Sequence, residues 1–238
     1  MLTLHAGTAT HRGLVRERNE DSLVASGSVF AVADGMGGHA AGDVASRIAV
    51  SHLHLLGQQS AVVTQDVTEA LSSANTQILA SAGRRRDQLG MGTTICGIAL
   101  VEIDDVPHWL VFNIGDSRVY RFTDGLLRQI TTDHSEVTEL VAAGELSEQQ
   151  ARTYERRHVI TRSLGTVPSP IADLWVLPQI AGERFLVCSD GLHGEVDDAA
   201  IAAALSSQPD PQRAADHLIA LALAAGGRDN VTVIVVGP

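Results

Sequence analysis

Apolar residues form short runs in some regions of the chain and follow a helical repeat in others. A compact apolar run bounded by glycine or polar residues is typical of a strand, and a fully apolar one such as 29–33 indicates burial on both faces. Strands are predicted at residues 2–8, 23–25, 29–33, 93–101, 109–114, 119–122, 126–130, 171–176, 184–188 and 231–236. The pattern therefore predicts a protein rich in strands.

Apolar residues spaced three and four positions apart predict amphipathic helices between these strands. Long helices are predicted at 41–57, 66–82, 198–206 and 211–225, and shorter ones at 136–143 and 147–152. In the last long helix, Asp210 is expected to cap the N-terminus, Pro211 to begin the helix and Gly226 to end it. The arginines at 84–86 are interpreted as a solvated helix end rather than as a substrate-binding cluster.

Short connections join neighbouring strands in the middle of the chain. Residues 115–117 and 123–125 each separate two predicted strands, and parallel neighbours would need a crossover of about a dozen residues. Antiparallel hairpins are therefore predicted, with Asp116 at the tip of one. Residues 133–160 carry many charged and few large apolar side chains, which predicts a mobile surface subdomain over the sheet edge. No linker or repeat interrupts the chain, so one domain is expected over residues 1–238.

Acidic residues stand where the apolar strands end. Asp34 and Asp190 close buried runs and precede a glycine, and Asp229 comes just before the last strand. Asp116 and Asp21 lie in polar segments beside other strands. An isolated Asp-Gly pair is more often a tight turn than a site. Its repetition at several strand ends favours a shared carboxylate site.

The charge composition narrows the possible functions. The formal net charge is −11, and all 17 basic residues are arginine. A negative protein is poorly suited to bind nucleic acid or an anionic membrane. The lack of lysine excludes a Walker lysine, a kinase-type phosphate-binding lysine and Schiff-base chemistry.

The two cysteines and the lack of long apolar runs bear on where in the cell the protein is expected. Cys96 and Cys188 lie in apolar strands and are interpreted as core residues of a reducing compartment, not as a disulfide framework. No apolar run approaches the roughly 18 residues of a membrane-spanning helix, and the N-terminus lacks a signal-peptide pattern. A soluble cytoplasmic protein is therefore expected.

A carboxylate site without lysine favours metal ions. Clustered carboxylates repel one another unless cations compensate, and oxygen ligands suit hard ions such as Mg²⁺ or Mn²⁺. Two such ions about 3.5–4 Å apart can activate a shared water, and a phosphoester clamped by an arginine is a fitting substrate. His52 and His54 are weaker candidates, because residues two apart on a helix point to different faces.

Seven motifs in the same order resemble the metal-dependent Ser/Thr phosphatases of the protein phosphatase 2C family, the bacterial stand-alone type most closely. They are Arg-Glu-Arg-Asn-Glu-Asp at 16–21, Val-Ala-Asp-Gly-Met-Gly-Gly-His at 32–39, Gly-Thr-Thr at 92–94, Gly-Asp-Ser-Arg at 115–118, Ser-Leu-Gly at 163–165, Cys-Ser-Asp-Gly at 188–191 and Arg-Asp-Asn-Val-Thr at 228–232. The resemblance implies an α+β fold of four layers, two antiparallel sheets packed together with helix pairs outside.

The resemblance also implies roles for individual residues. A two-metal centre of Mn²⁺ or Mg²⁺ would be held by Asp34, the Gly35 carbonyl, Asp190 and Asp229. Asp21 would act on it through water, and Asp116 with Asp190 would hold a third, weaker ion. Arg16 would bind the substrate phosphate. Glu20 and Asn230 would support these residues, and 133–160 would form a flap beside the site.

The activity implied is hydrolysis of phosphoserine and phosphothreonine by a hydroxide that bridges the ions. Expected partners are phosphorylated proteins and bacterial Ser/Thr kinases, and the chain is expected to be a monomer. The alternative is a catalytically silent phosphoprotein-binding module, against which the complete set of acids argues. In one departure from animal relatives, Met36 replaces the histidine proposed as general acid, so metal-bound water and His39 are both candidates for protonating the leaving oxygen.

Overall fold

The computed structural model describes residues 4–37, 41–151 and 153–237. The strands are β1 (His5–His11), β2 (Ser22–Ser26), β3 (Val29–Ala33), β4 (Gly35–Met36), β5 (Gly92–Thr93), β6 (Ile95–Ile103), β7 (Val106–Ile114), β8 (Arg118–Thr123), β9 (Leu126–Gln129), β10 (Asp173–Pro178), β11 (Arg184–Cys188) and β12 (Val231–Gly237). The helices are α1 (Gly42–Gly57), α2 (Thr64–Arg84), α3 (Glu136–Ala142), α4 (Glu148–Ala151), α5 (Asp190–His193), α6 (Asp198–Ser207) and α7 (Pro211–Ala225), and a short 3₁₀ helix covers Arg86–Gln88.

Two five-stranded antiparallel sheets form the centre of the molecule. One has the order β1-β12-β11-β8-β9 and the other the order β10-β7-β6-β3-β2, while β4 and β5 form a separate short pair. In the first sheet, Val187 of β11 lies between Ile234 of β12 and Val119 of β8. In the second, Val32 of β3 lies between Leu23 of β2 and Cys96 of β6.

Three apolar layers explain the arrangement of sheets and helices. Helices α1 and α2 pack on one sheet around residues such as Leu53 and Phe112, and α6 and α7 pack on the other around Leu218 and Val233. A third layer, which includes Val187, fills the space between the sheets. Strands β3, β11 and β12 are buried along their whole length because both of their faces are covered. The predicted four-layer α+β sandwich is confirmed.

The connection at 115–117 is not a hairpin, and the prediction of Asp116 at a hairpin tip is wrong. Strand β7 belongs to one sheet, where it pairs with β6 and β10, and β8 belongs to the other, where it pairs with β11 and β9. Each strand already has two neighbours, so the short loop carries the chain across the sandwich. Gly115 makes this possible, because its φ is +115° and a Cβ there would lie 2.6 Å from the Thr94 side chain.

The other predicted turn and the helix ends agree with the structure. Residues 123–125 join β8 and β9 in a hairpin, with Asp124 and Gly125 in the left-handed region. The Asp210 side chain accepts a hydrogen bond from the Arg213 N–H at 2.8 Å, and Pro211 begins α7. Helix α5 and the β4–β5 pair were not predicted, because four and two residues are too short to show a periodic pattern.

The cysteines, the long helices and the 133–160 segment can also be compared with the predictions from the sequence. Cys96 and Cys188 are buried and form no disulfide, as expected for core residues. Among the helices of the described residues, none has the length and apolar character needed to span a bilayer. Helices α3 and α4 contain no buried residue and lie on the surface, whereas His134 and Ser135 at the start of the 133–160 segment are buried.

Candidate metal centre

The ends of three central strands bring the predicted acids to one edge of the sandwich. Asp34 directly follows β3, Asp190 begins α5 after β11, and Asp229 comes two residues before β12. Asp21 precedes β2, whose first residue pairs with the last residue of β3. The charges of Asp21, Asp190, Asp116 and Asp229 all raise the pKa of Asp34, which shows that the five carboxylates share one environment.

Asp34 is the centre of this cluster. Burial is the largest cause that raises its pKa well above the usual range, and the neighbouring negative charges add to it. Its main chain is fixed on both sides: the Asp34 N–H donates to the Thr94 hydroxyl at 3.0 Å, and the Thr93 hydroxyl donates to the Asp34 carbonyl at 2.8 Å. The carboxylate therefore cannot relax away from its neighbours by a backbone shift.

Asp21 is held in the same environment by hydroxyl groups. Burial raises its pKa to about 7, while hydrogen bonds from Thr232 and Ser189 oppose the rise and the charge of Asp190 adds to it. The Ser189 hydroxyl donates to Asp21 Oδ2 at 2.8 Å, and Ser189 Oγ itself accepts the Thr232 N–H at 3.0 Å. Ser189 and Thr232 thus orient Asp21, a support that the sequence analysis did not identify.

Asp190 and Asp116 form the other side of the cluster. Burial and then the charge of Asp229 raise the pKa of Asp190, and burial followed by the charges of Asp190 and Asp133 raises that of Asp116 well above its usual range. Asp116 is buried. Asp116 therefore lies within reach of the charge of Asp190 although its loop crosses between sheets, and the third ion site stays a prediction.

Unpartnered oxygens show that the cluster fits a hard cation. Asp21 Oδ1, Asp116 Oδ1 and Asp190 Oδ1 are shielded from solvent and have no hydrogen-bond partner in the described part of the chain. Buried carboxylate oxygens are normally paired, and Mg²⁺ and Mn²⁺ take oxygen ligands of this kind. These unpartnered carboxylate oxygens and their raised pKa values are therefore those expected of a site that binds divalent ions.

Gly35, whose carbonyl is a predicted metal ligand, directly follows Asp34 and packs closely on the start of α1. A Cβ at this position would lie 2.2 Å from the Gly42 carbonyl oxygen and 2.6 Å from that of Glu20, so only glycine allows the close packing of β4 on the start of α1. Burial, followed by the charge of Asp43, raises the pKa of the Glu20 carboxyl. Glu20 thus belongs to the same acidic neighbourhood.

Asn230 ties the N-terminal loop to the strand that carries Asp229. Its side-chain oxygen accepts the Glu20 N–H at 2.8 Å, and its side-chain nitrogen donates to the Arg12 and Arg18 carbonyls at 2.9 and 2.8 Å. These bonds fix both ends of the loop that contains Arg16. Asn230 thus holds the loop, and its role in supporting the metal ligands stays a prediction.

Arg16 lies at the mouth of the cluster. Its Nη2 donates to Asp229 Oδ2 at 2.7 Å, and this hydrogen bond followed by the charge of Asp229 raises the pKa of the guanidinium. The Arg16 side chain is 57% exposed. The other Asp229 oxygen accepts the Asn230 N–H at 2.8 Å. An exposed cation beside buried acids is well placed to meet a phosphate.

The side chains of the acids are not arranged around a common ion position in the structure. Within residues 4–37, 41–151 and 153–237, no group of three His, Cys, Asp or Glu side chains is arranged to hold an ion. Asp229 instead bonds Arg16, and Asp21 bonds Ser189. The structure thus brings the predicted ligands together, and their assignment to particular ions stays a prediction.

Two histidines not assigned by the sequence analysis support the Asp116 loop. His134 Nδ1 accepts the Gly115 N–H at 3.0 Å, and the His134 N–H donates to the Gly115 carbonyl at 2.9 Å. His193 of α5 donates from Nε2 to the Asp116 carbonyl at 3.1 Å. These histidines are far from residues 115 and 116 in the sequence, and no local pattern links them, so the contacts are visible only in the folded structure.

Other candidates from the sequence lie elsewhere. His39 falls outside the described residues, and Met36 in β4 pairs with Gly92. His52 bonds Gln77 at 2.7 Å, whereas His54 bonds Gln58, so the two do not form a pair.

Comparison with known proteins identifies the family. The model of the protein phosphatase 2C family matches residues 11–224. The serine/threonine phosphatase stp of Listeria innocua is 36% identical over 98% of this chain and 95% of its own length. The serine/threonine protein phosphatase PstP of Mycobacterium tuberculosis is 39% identical over 98% of this chain, which spans 45% of that relative.

Solved structures agree with the sequence matches. The crystal structure of PstP/Ppp from Mycobacterium tuberculosis superposes with a TM-score of 0.91 at 38% identity and covers 99% of both chains. The catalytic domain of PstP in complex with two manganese ions gives a TM-score of 0.87 at 38% identity, covering 98% of this chain and 97% of that one. The chain therefore belongs to the protein phosphatase 2C family and is a metal-dependent Ser/Thr protein phosphatase of the kind found in bacteria.

Proposed function

We propose that the carboxylate cluster is the catalytic centre and removes phosphate from phosphoserine and phosphothreonine in proteins. Asp34, the Gly35 carbonyl, Asp190 and Asp229 would hold two Mn²⁺ or Mg²⁺ ions there. The observation that carries the proposal is the set of buried carboxylates with raised pKa values and unpartnered oxygens beside an exposed arginine. The PstP structure with two manganese ions supports it by similarity.

The ions would supply an activated hydroxide and neutralise the charge that develops on the phosphoryl group. The residues of the chain would orient the substrate for this attack. Arg16 would exchange its bond to Asp229 for a bond to the phosphate, because a dianionic phosphate is a stronger acceptor than a carboxylate engaged by a cation. Thr93 and Thr94 keep Asp34 in place during the exchange.

Asp21 and Asp116 would extend the centre on either side. Asp21, oriented by Ser189, would accept a hydrogen bond from a water of the site. Asp116 with Asp190 would bind a third ion weakly, because one dedicated carboxylate gives little charge and few ligands. His39 is retained as a candidate proton donor to the leaving oxygen.

The partners follow from the reaction. Substrates would be proteins phosphorylated by bacterial Ser/Thr kinases, and residues 133–160 would form a flap beside the bound phosphoprotein. The Arg118–Asp133 ion pair at 2.7 Å and the His134 bonds to Gly115 would anchor the base of this flap. We place a monomeric, single-domain protein in the cytoplasm, in keeping with its two unbridged buried cysteines.

The decisive experiment is a Mn²⁺-dependent assay with p-nitrophenyl phosphate and a phosphothreonine peptide. Turnover should require added Mn²⁺ and vanish on chelation, and Asp34→Asn should abolish it while retaining the folded structure by circular dichroism. Asp216→Asn, which changes an exposed acid on α7, is the matched control. Binding of the phosphopeptide without any turnover would instead support the silent-module alternative.

A further inference from the structure

A second binding site is indicated by Arg184, the first residue of β11. Its side chain is only 9% exposed, although a guanidinium is normally charged and hydrated. Burial lowers the pKa of Arg184, and the charge of Asp210 opposes the shift without reversing it. In the described part of the chain, no carboxylate lies within ion-pair distance of the guanidinium.

One edge of the guanidinium has a structural role. Arg184 Nη1 donates to the Leu205 carbonyl at 2.6 Å and to the Gln208 carbonyl at 2.9 Å, where α6 ends. A cation is favourable at this end of a helix, so these bonds account for part of the cost of burying the charge. They use one nitrogen of three.

The other edge of the guanidinium is unused. Nε and Nη2 are shielded from solvent and have no hydrogen-bond partner among the described residues. These two nitrogens lie on the same side of the planar group and form the fork that binds a carboxylate or phosphate with two parallel hydrogen bonds. A buried guanidinium with two nitrogens that lack hydrogen-bond partners is destabilising, and a bound anion would offset this by accepting both hydrogen bonds.

The cavity beside Arg184 has the composition expected for an organic anion. Its volume is about 370 Å³, and Phe122, Leu205, Pro209 and Pro211 form its apolar wall. The other lining residues are glycines, Ser206 and Arg184 itself, so no acidic side chain lines the cavity, although Asp210 lies near enough for its charge to act on Arg184. Gly237 leaves room for the stem, since a Cβ there would lie 3.2 Å from Arg184 Cγ.

We propose that this cavity binds a small organic anion, with a carboxylate or phosphate head group on Arg184 and an apolar body against Phe122 and Leu205. Because this edge is shielded in the unliganded structure, binding requires the Nε–Nη2 edge to turn towards the cavity by rotation about the side-chain bonds of Arg184. The head group and the guanidinium then satisfy each other's hydrogen bonds.

The site is separate from the carboxylate cluster. Arg184 and Cys188 stand at opposite ends of β11, about 13 Å apart at the usual rise of a strand, and Asp190 follows beyond Cys188. A ligand on Arg184 therefore does not touch the acids. Substitution of Arg184 should leave basal turnover close to that of the wild type.

The test uses benzoate, its neutral isostere benzamide, and inorganic phosphate as probes of the full chain. Thermal unfolding and the ¹H–¹⁵N signal of the Arg184 Nε group are followed during each titration. Benzoate should raise the melting temperature in a concentration-dependent manner and shift the Nε signal, and benzamide should do neither. Phosphate is titrated in Arg16→Ala as well, so that a response from the carboxylate cluster is recognised.

Three variants decide the outcome. Arg184→Met should abolish the benzoate response, and Arg184→Lys, which keeps the charge but lacks the fork, should weaken it at least about tenfold. Arg47→Met, which removes an exposed arginine paired with Asp43 on α1, should respond like the wild type. A phosphate response that survives Arg16→Ala and is lost in Arg184→Lys would identify a phosphate head group, and a response to benzoate alone would identify a carboxylate.

Several results would overturn the proposal. It fails if no probe raises the melting temperature, if benzamide acts as strongly as benzoate, or if the Arg184 Nε signal does not move on titration. It also fails if Arg184→Lys responds to the probes as the wild type does, which keeps the test valid should Arg184→Met not fold.

Discussion

Each acid of the carboxylate cluster makes its neighbours harder to ionise. Burial raises the pKa of Asp34 most, and four other aspartates add to the shift. The bonds from Thr93 and to Thr94 prevent Asp34 from moving away. A divalent cation among the carboxylates converts this repulsion into attraction, because its charge becomes the largest in the site. The acids should therefore act as a unit.

This leads to a prediction for single and combined substitutions. Asp34→Ala, Asp190→Ala and Asp229→Ala should each remove most of the activity, and the triple variant should be little worse than any single one, since each residue holds the ions that the others need. Steady-state rates at saturating Mn²⁺ measure this. Near-wild-type turnover in any one single variant would exclude that residue from the centre.

Arg16 should bind phosphate without holding metal. Because its guanidinium is exposed and bonds Asp229, Arg16→Ala should lower kcat/KM by about 30-fold, or about 2 kcal/mol for a charge-assisted contact. Mn²⁺ affinity by calorimetry should hardly change. Arg12→Ala is the matched control, since Arg12 lies in the same loop and its guanidinium donates to the Arg16 carbonyl at 3.1 Å and, among the described residues, to no carboxylate. A collapse of Mn²⁺ binding in Arg16→Ala would make this residue structural.

At the scale of elements, the loop at 115–117 connects the two sheets and carries an acid into the cluster. The Thr94 hydroxyl contacts both the Asp34 N–H and the Ser117 hydroxyl, at 3.0 and 2.8 Å. His134 at the base of the 133–160 segment bonds the Gly115 main chain. The loop is therefore linked to the core acids on one side and to the surface segment on the other.

Asp116→Ala should remove the third ion and leave the other two bound. The variant should keep two tightly bound Mn²⁺ ions and the wild-type fold, because its backbone is held by His134 and His193, while turnover falls. Metal stoichiometry in crystals soaked with Mn²⁺ and turnover at saturating Mn²⁺ are the two measurements. Retention of three ions, or loss of one without any loss of rate, would contradict a catalytic role for this site.

At the scale of the whole molecule, stability without metal should fall as the pH rises. The pKa of Asp21 is raised from 3.8 to about 7 in the folded protein, and those of Asp34, Asp116 and Asp190 are raised too. A raised pKa in an acid means that the folded state binds more protons than the unfolded state, so the stability from these groups is present at low pH and lost towards neutral pH.

Urea unfolding of the chelated protein should therefore give a lower free energy of unfolding at about pH 7 than at about pH 5, a window above the lowered pKa of Asp173. The lowered pKa of buried His193 acts in the opposite direction in this window, but it is one group against the four carboxylates with raised pKa values. Saturating Mn²⁺ should remove or reverse the difference, because the ions replace the protons. Asp21→Asn should reduce the pH effect, and Asp216→Asn should not. A chelated protein that becomes more stable across this window would show that the carboxylates are not coupled in this way.

The prediction from sequence was most successful where one local pattern decides the outcome. The periodicity that predicts α7 and the Asp210–Pro211 start were sufficient for that helix, because capping and amphipathicity are local. The acids at strand ends were recognised for the same reason. Helix α5 was missed, because four residues carry no periodic signal.

What the sequence determined by itself is the long helices and most of the strands, the acids that end them and the family to which their motifs belong. Only the tertiary structure decided which sheet each strand joins. It shows that Asp116 lies in a connection between the two sheets and not at the tip of a hairpin. It also decided that Arg16 bonds Asp229 and that Arg184 is buried without a carboxylate partner among the described residues. Strand pairing and side-chain burial depend on residues far apart in the chain, so no local pattern encodes them.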